Sequence, residues 1–296
     1  MNVLDLSNRP QYRPPAEADS LILQIDVGCP YNRCTFCGMY RGVRYRRRPM
    51  EEVTRLIEAE ARYADGMRRI FLADGDVMRR PAAELLAILA ELGRQFPDLA
   101  RVNTYATGFA IAAKSDEDLR AMRALKLHTL YLGLESGDEA ILRAVRKGED
   151  AATMIAAVQR AQACGLRASV MVLLGLGGAE RTREHAEASA DALNRMQPRL
   201  LSALRVVPVP GTELHDDVTA GRFAPLSERH VVEELRAIVS RLELANTVFR
   251  ANHASNVVPL EARLPRDKPA LLAQLDAVLA SGELDEATPG RLPLWL

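Results

Sequence analysis

Residues 21–40 read LILQIDVGCPYNRCTFCGMY: a short, nearly apolar run from Leu21 to Val27, then a loop carrying Cys29, Cys34 and Cys37. An apolar run of this length, closed by a glycine, predicts a strand covered on both faces. The CxxxxCxxC spacing places three thiols on the loop that leaves that strand. The amphipathic stretch Met50 to Ala64 follows, which completes one βα unit.

The same alternation recurs along the chain. Further strands are predicted at Arg69 to Leu72, Val102 to Tyr105, Thr129 to Leu132, Ala168 to Leu174 and Leu201 to Val207. Helices are predicted at Pro81 to Phe96, Ser115 to Ala124, Ala151 to Cys164 and Arg181 to Met196. Ser115 with Asp118 opens the second of these as a capping box, Asp standing for the usual Glu. About six βα units around a parallel sheet result, which is an α/β fold. Beyond the sixth strand, Gly211, Pro225 and Ser227 punctuate the chain, and Glu228 to Leu242 and Asp267 to Leu279 read as helices of a short C-terminal helical extension.

Bulk properties narrow the function. With 296 residues, 48% of them hydrophobic, the chain can bury a large core. A formal net charge of +0 does not point to nucleic acid or an anionic membrane as the default partner. Met1 to Pro15 has no continuous apolar core, so neither an export signal nor a membrane anchor is expected there. The most apolar later stretch, Ser169 to Gly178, is far shorter than the roughly 20 residues that span a bilayer. Of the four cysteines, three fall between positions 29 and 37, a metal-ligand pattern rather than a disulfide framework. A reducing, cytoplasmic location is expected. The run Arg41 to Arg48, RGVRYRRR, is either a solvated loop or a local basic patch.

Thiolates are soft ligands that suit zinc or an iron-sulfur cluster. Three on one loop can hold a cubane and leave its fourth iron without a protein ligand. A closed structural zinc site needs four ligands, and Cys164, the remaining cysteine, lies far along the chain on a predicted helix.

Gly28 to Tyr40 resembles the cluster loop of the radical S-adenosylmethionine (SAM) superfamily, with one residue more than the usual CxxxCxxC between the first two cysteines. Phe36 stands where that family carries an aromatic residue near the adenine of SAM. The resemblance implies a partial (βα)6 TIM-type barrel over residues 21–214, preceded by an extension over 1–20 and closed by another over 215–296. It also implies that Cys29, Cys34 and Cys37 ligate a 4Fe-4S cluster and that SAM chelates the open iron. On the same resemblance, Asp74 and Asp76, after the second strand, bind the methionyl amino group. Glu135 and Ser136, after the fourth, contact the ribose, and Gly175, Gly177 and Glu180, after the fifth, lie near the adenine. Read without the resemblance, the Asp74 and Asp76 segment and the glycine loop are ordinary turns.

Residues at later strand ends are candidates for the substrate side, because barrels gather their chemistry there. Arg205 can pair with a carboxylate or phosphate, or can form a structural ion pair with Glu135 or Asp138. His253 is a candidate acid or base, or a hydrogen-bonded structural residue. Tyr105 is read as packing, and His185 and Cys164 as structural.

The resemblance implies an enzyme that reductively cleaves SAM to a 5′-deoxyadenosyl radical, which abstracts hydrogen from a small molecule. Its electron would come from a reductant such as flavodoxin or ferredoxin. An absence of large terminal extensions and of a second cysteine cluster leads us to expect neither a cobalamin domain nor an auxiliary cluster. The competing readings are an iron-sulfur electron-transfer or carrier protein, a tRNA-modifying enzyme drawing on the basic run, and a zinc-stabilised barrel.

Overall fold

Period-two alternation along the strands sorts their side chains into two separate apolar layers, and this sorting organises the molecule. The computed structural model describes residues 12–64 and 66–288; residues 1–11 of the expected N-terminal extension lie outside them. The strands are β1 (Leu21–Gln24), β2 (Asp26–Val27), β3 (Arg46–Arg47), β4 (Arg69–Ala73), β5 (Arg101–Tyr105), β6 (Leu127–Glu135), β7 (Arg167–Leu174), β8 (Leu200–Arg205), β9 (Thr247–Arg250) and β10 (Glu261–Leu264). Eight of them form one sheet in the order β1-β4-β5-β6-β7-β8-β9-β10. Every neighbouring pair from β1 to β9 is parallel, and β10 returns antiparallel to β9. β1 and β10 are the two edges, so the sheet is a partial barrel open on one side.

Six helices follow the first six parallel strands of this sheet: α1 (Met50–Ala61), α2 (Ala82–Gln95), α4 (Asp116–Ala124), α6 (Ala151–Ala163), α7 (Thr182–Met196) and α9 (Glu228–Arg241). Between them lie the short helices α3 (Gly108–Ala112), α5 (Glu139–Ala144) and α8 (Glu213–Thr219), and α10 (Lys268–Ala280) comes last. Helix α6 buries Ala151, Met154, Ile155, Val158 and Ala161, the spacing of one apolar stripe. The capping box at α4 forms as expected: Ser115 Oγ accepts from Asp118 N, and the Asp118 carboxylate accepts from Ser115 N.

Outward strand residues such as Leu72, Val102, Leu130, Val170 and Leu201 pack with helix residues such as Leu89, Val158 and Ile238. Inward residues form a distinct cluster of Phe71, Ala73 and Tyr131, with Ile22, Tyr105 and Leu200 against it. Phe71 stacks edge-on to Tyr105 and Tyr131, with centroids 5.0 and 5.8 Å away. Tyr105 thus packs inside the barrel, as expected.

Two differences from the sequence reading are informative. The run Leu21 to Val27 breaks at Ile25: β1 pairs with β4, whereas β2 turns to pair with β3 and brings the basic run back across the strand end. The C-terminal extension, moreover, carries two strands besides its helices. β10 alternates exposed and buried residues and lacks the apolar run that marked the others. At the break, the fully buried Arg80 side chain donates to Asp26 Oδ1 at 2.7 Å and to the carbonyls of Ile25 and Arg48, both at 2.8 Å. One guanidinium therefore ties the end of β1, the end of the cysteine loop and the segment after β4. Among the described residues no helix is long and apolar enough to cross a membrane.

Candidate active site

The loop that leaves β1 is held against its neighbours mainly through its backbone. Thr35 N donates to Val145 O at 3.0 Å, and Thr35 O accepts from Leu214 N at 3.1 Å. Tyr31 donates its hydroxyl to Arg146 O at 2.9 Å. Arg41 donates to the carbonyls of Cys37 and Cys34, each at 3.3 Å, and lies 3.8 Å from Glu213. These contacts fix the positions of Cys29, Cys34 and Cys37, all partly exposed free thiols.

The segment after β4 packs under the loop. A side chain at position 75 would put its Cβ 2.6 Å from Cys29 Cα, so only glycine allows this approach. Tyr40 Oη accepts from Gly75 N at 3.2 Å. Asp74 Oδ2 accepts from Gln24 Nε2 at 2.8 Å and from Gly28 N at 3.0 Å, while its buried Oδ1 has no hydrogen-bond partner among the described residues. Asp76 is 2% exposed and accepts from Thr107 Oγ1 at 2.6 Å through Oδ2; its Oδ1 is likewise unpartnered. Burial pushes the Asp76 carboxyl up to about 6, against the pull of the Thr107 hydrogen bond.

From the end of β6, Glu135 reaches back with φ of +62° and pairs with Lys147 Nζ at 3.0 Å. A Cβ at residue 133 would lie 1.9 Å from Glu135 Oε1, so Gly133 leaves the room in which the carboxylate sits. Burial pulls the Lys147 ammonium down, but the charges of Glu135 and Cys34 outweigh it and hold the group protonated. Lys147 was not among the residues the sequence suggested; nothing local distinguishes it from the other basic residues around it.

The donor set fits an iron-sulfur cluster. Burial raises the Cys34 thiol to about 12 and raises that of Cys37 as well, and the charges of neighbouring cysteines add to both shifts. Coordination to a cation is what would make them thiolates. Among the described residues no three His, Cys, Asp or Glu side chains close around a single metal ion. Cys164, the fourth ligand a structural zinc would need, is buried in the core between helices and sheet. The unpartnered Oδ1 atoms of Asp74 and Asp76 are acceptors beside the loop, in the place expected to receive an ammonium group.

Several expected residues are placed differently. Ser136 is fully buried, and its Oγ is engaged by His185 Nδ1 at 2.8 Å and Asp138 N at 3.0 Å, as part of the packing under α7. His185 is correspondingly structural. Gly175 N donates to Glu234 Oε1 at 2.7 Å, and a Cβ at Gly177 would meet Ile141 at 2.8 Å, so both glycines serve the turn and its packing. Glu180 is exposed on the same loop. Arg205 is 5% exposed on the helix-facing side of β8, with Glu228 as the charge beside it. Its expected partners are elsewhere: Glu135 is on Lys147, and Asp138 is 2.7 Å from Arg181. Position 205 falls one residue out of register with the inward face, so Arg205 lies with Leu201 and Ala203 on the other face of β8. Phe36 packs with Ile141, Leu176 and Val206, next to the glycine loop. His253 is half-buried, its Nδ1 2.9 Å from Ser255 Oγ, and burial lowers its pKa.

Comparison with known proteins agrees with this architecture. The chain is 28% identical over 208 residues to an uncharacterized methyltransferase of Pyrococcus horikoshii, a match covering 68% of this chain and 42% of the relative. It therefore spans less than half the length of that protein. Methylornithine synthase (PylB) superposes with a TM-score of 0.54 at 17% identity, covering 88% of this chain and 81% of the other. The radical SAM methyltransferase TsrM from Kitasatospora setae, with cobalamin and a [4Fe-4S] cluster bound, superposes with a TM-score of 0.55 at 18% identity, covering 68% and 39%. At these identities the structural likenesses speak for the fold. The profile of the radical SAM superfamily matches residues 23–193, more than half of the chain, and the protein belongs to that superfamily, whose members bind a 4Fe-4S cluster and SAM.

Proposed function

We propose that this protein is a radical SAM enzyme of small-molecule metabolism, with Cys29, Cys34 and Cys37 as the ligands of its cluster. The observation that carries the reading is the meeting of the three thiols, the unpartnered carboxylate oxygens of Asp74 and Asp76, and the Glu135–Lys147 pair at one end of the sheet. When bound, the cluster supplies the electron that cleaves SAM to methionine and a 5′-deoxyadenosyl radical, the oxidant that takes hydrogen from a substrate carbon.

The chain's own residues hold and orient. Asp74 and Asp76 offer acceptors for the amino group of SAM, and Glu135 for its ribose. Phe36 lies against the glycine loop where the adenine is expected, and Arg41 keeps the cysteine loop closed through its carbonyls. The inward layer of Phe71, Tyr105 and Tyr131 keeps water out of the barrel below. A low-potential carrier such as a flavodoxin or ferredoxin, in a reducing cytoplasm, would deliver the electron.

A small substrate is favoured over RNA because the basic run is largely paired within the protein. Arg46 and Arg48 are held by Glu52, Arg47 lies 3.4 Å from Glu84, and Arg41 is on the cysteine loop. The test is anaerobic reconstitution with iron and sulfide, reduction with dithionite, addition of SAM and assay for 5′-deoxyadenosine. Its formation, absent in Cys37→Ala, is the expected result. A cluster-loaded protein that neither binds nor cleaves SAM would replace this reading with that of an electron carrier.

A further inference from the structure

We propose that the outer face of the cysteine loop, with Arg33 at its centre, is the docking surface for an acidic one-electron carrier protein. The proposal rests on the reading above, because a carrier is needed only where the site receives an electron.

The fold of the loop brings arginines from separate segments together. Asn32, at φ +44°, makes a left-handed turn between the first two cysteines, and its side-chain amide donates to Tyr40 O at 2.9 Å, drawing the two limbs of the loop together. Arg33, the next residue, is exposed. Arg41, on the other limb, reaches the carbonyl of Cys34, the residue after Arg33. Tyr31 donates to Arg146 O, which sets Arg146 alongside the same stretch. Arg143, exposed in the last turn of α5, accepts from Arg146 N at 3.1 Å through its carbonyl.

The protein does not neutralise this charge itself. Among the described residues, the guanidinium groups of Arg33 and Arg143 have neither a hydrogen bond nor an ion pair. Arg41 and Arg146 share one carboxylate, Glu213, which is 3.8 Å from Arg41 and hydrogen-bonded to Arg146. The other acids on α8 are Asp217, held by Arg222 at 2.8 Å, and Asp216, 3.6 Å from His215. Four guanidinium groups facing the carboxylates of Glu213 and Asp216 leave the surface positive, although the whole chain has a formal net charge of +0. Arg46, Arg47 and Arg48 differ from these, since Glu52 and Glu84 pair with them. Exposed cations held close without counter-charges add nothing to stability, but their field attracts an anionic partner.

Position selects the partner. Arg41 donates to the carbonyls of Cys34 and Cys37, each at 3.3 Å, so a protein resting on these guanidinium groups is separated from two of the thiols by little more than the loop backbone. A small acidic carrier suits such a face, because opposite charge steers it into a limited, transient contact. On docking, one electron leaves the carrier, which is oxidised by one equivalent, and reduces the oxidised cluster by one. No bond forms or breaks, and no further reactant is consumed. Nucleic acid fits less well, because single strands are held by aromatic stacking as well as charge. Tyr31 is packed on Gly148, where a Cβ would lie 2.5 Å from its ring, and its hydroxyl is engaged by Arg146 O.

The experiment uses the cluster-loaded protein and a flavodoxin, an acidic flavin carrier. It measures calorimetric affinity for the oxidised flavodoxin, and the rate of 5′-deoxyadenosine formation driven by reduced flavodoxin or by excess dithionite. In Arg33→Glu and in Arg143→Glu, affinity and the flavodoxin-driven rate should each fall about tenfold or more, with the dithionite-driven rate unchanged. Raising the salt from about 50 to 200 mM should weaken flavodoxin binding to the unaltered protein, and less so to the variants. Arg62→Glu, an exposed arginine at the far end of α1, should change neither quantity. Flavodoxin affinity that is absent, insensitive to salt or unchanged in both charge reversals would overturn the proposal. So would an equal fall in the dithionite-driven rate in both variants, which would make the arginines structural, or tighter binding of a single-stranded oligonucleotide that both variants lose. Formation of 5′-deoxyadenosine with an unaltered flavodoxin response in the variants defeats the docking surface alone. Charge-dependent flavodoxin binding without 5′-deoxyadenosine from either reductant defeats the proposed function alone.

Discussion

Lys147 Nζ stands 3.0 Å from Glu135 Oε1, and the contact exists because residue 133 is glycine. The side chains are 13% and 10% exposed, so each charge depends on the other for solvation. Lys147→Met should destabilise the protein by about 3 kcal/mol, read from its denaturant midpoint, because it strands the carboxylate. Adding Glu135→Gln should recover most of that loss. Equal stability of the single and double variants would show that the pair is not coupled.

The three loop cysteines should be distinguishable from the fourth. Cys29→Ala, Cys34→Ala and Cys37→Ala are each expected to abolish the iron and sulfide content and the brown absorbance of the reconstituted protein. Cys164→Ala, in the core, should keep both and lose only some stability. A full cluster in any of the first three variants removes that residue from the ligand set.

Asp76 makes a pH prediction of definite sign. Its folded pKa is about 6, above the usual value near 3.9, so the folded state binds the proton more tightly. The carboxyl therefore favours folding below about pH 4, and stability falls as pH rises from there to about 6. The full difference is about 2–3 kcal/mol. Asp76→Asn should flatten this slope and raise the melting temperature at pH 7.5, while weakening SAM binding. An unchanged slope in the variant would show that the carboxyl is not held protonated.

The Arg80–Asp26 pair at 2.7 Å supports the base of the cysteine loop. Arg80→Leu leaves Asp26 buried without its partner, an expected cost of about 3–5 kcal/mol. The same variant should retain less iron after reconstitution, because the ends of β1 and of the loop lose their common tie. Normal iron retention in a folded Arg80→Leu protein would confine the pair to a purely stabilising role.

How far sequence reaches can be judged residue by residue. The βα alternation, the capping box at Ser115 and the cysteine loop follow from short-range rules: periodicity, hydrogen bonds three residues apart, and ligand spacing. Such rules act within a few residues, so the sequence alone determined the six βα units, their order, and the soft-metal loop after the first strand. Strand β10 escaped because an edge strand exposes alternate residues and shows no apolar run.

What the tertiary structure decided is which way each side chain faces and what meets it across long separations. Arg205 and Arg250 look alike in sequence, yet register turns the first toward the helices and the second toward the barrel interior. Ser136 follows Glu135 directly, but the chain turns there, so that Glu135 meets Lys147 while Ser136 is buried under α7. Lys147 and Glu17 acquire their roles from partners 12 and 114 positions away, Glu135 and Tyr131. A one-residue change of register exchanges the two faces of a strand, and partners brought together by folding leave no local trace; these are the reasons the units were legible in sequence and the chemistry between them was not.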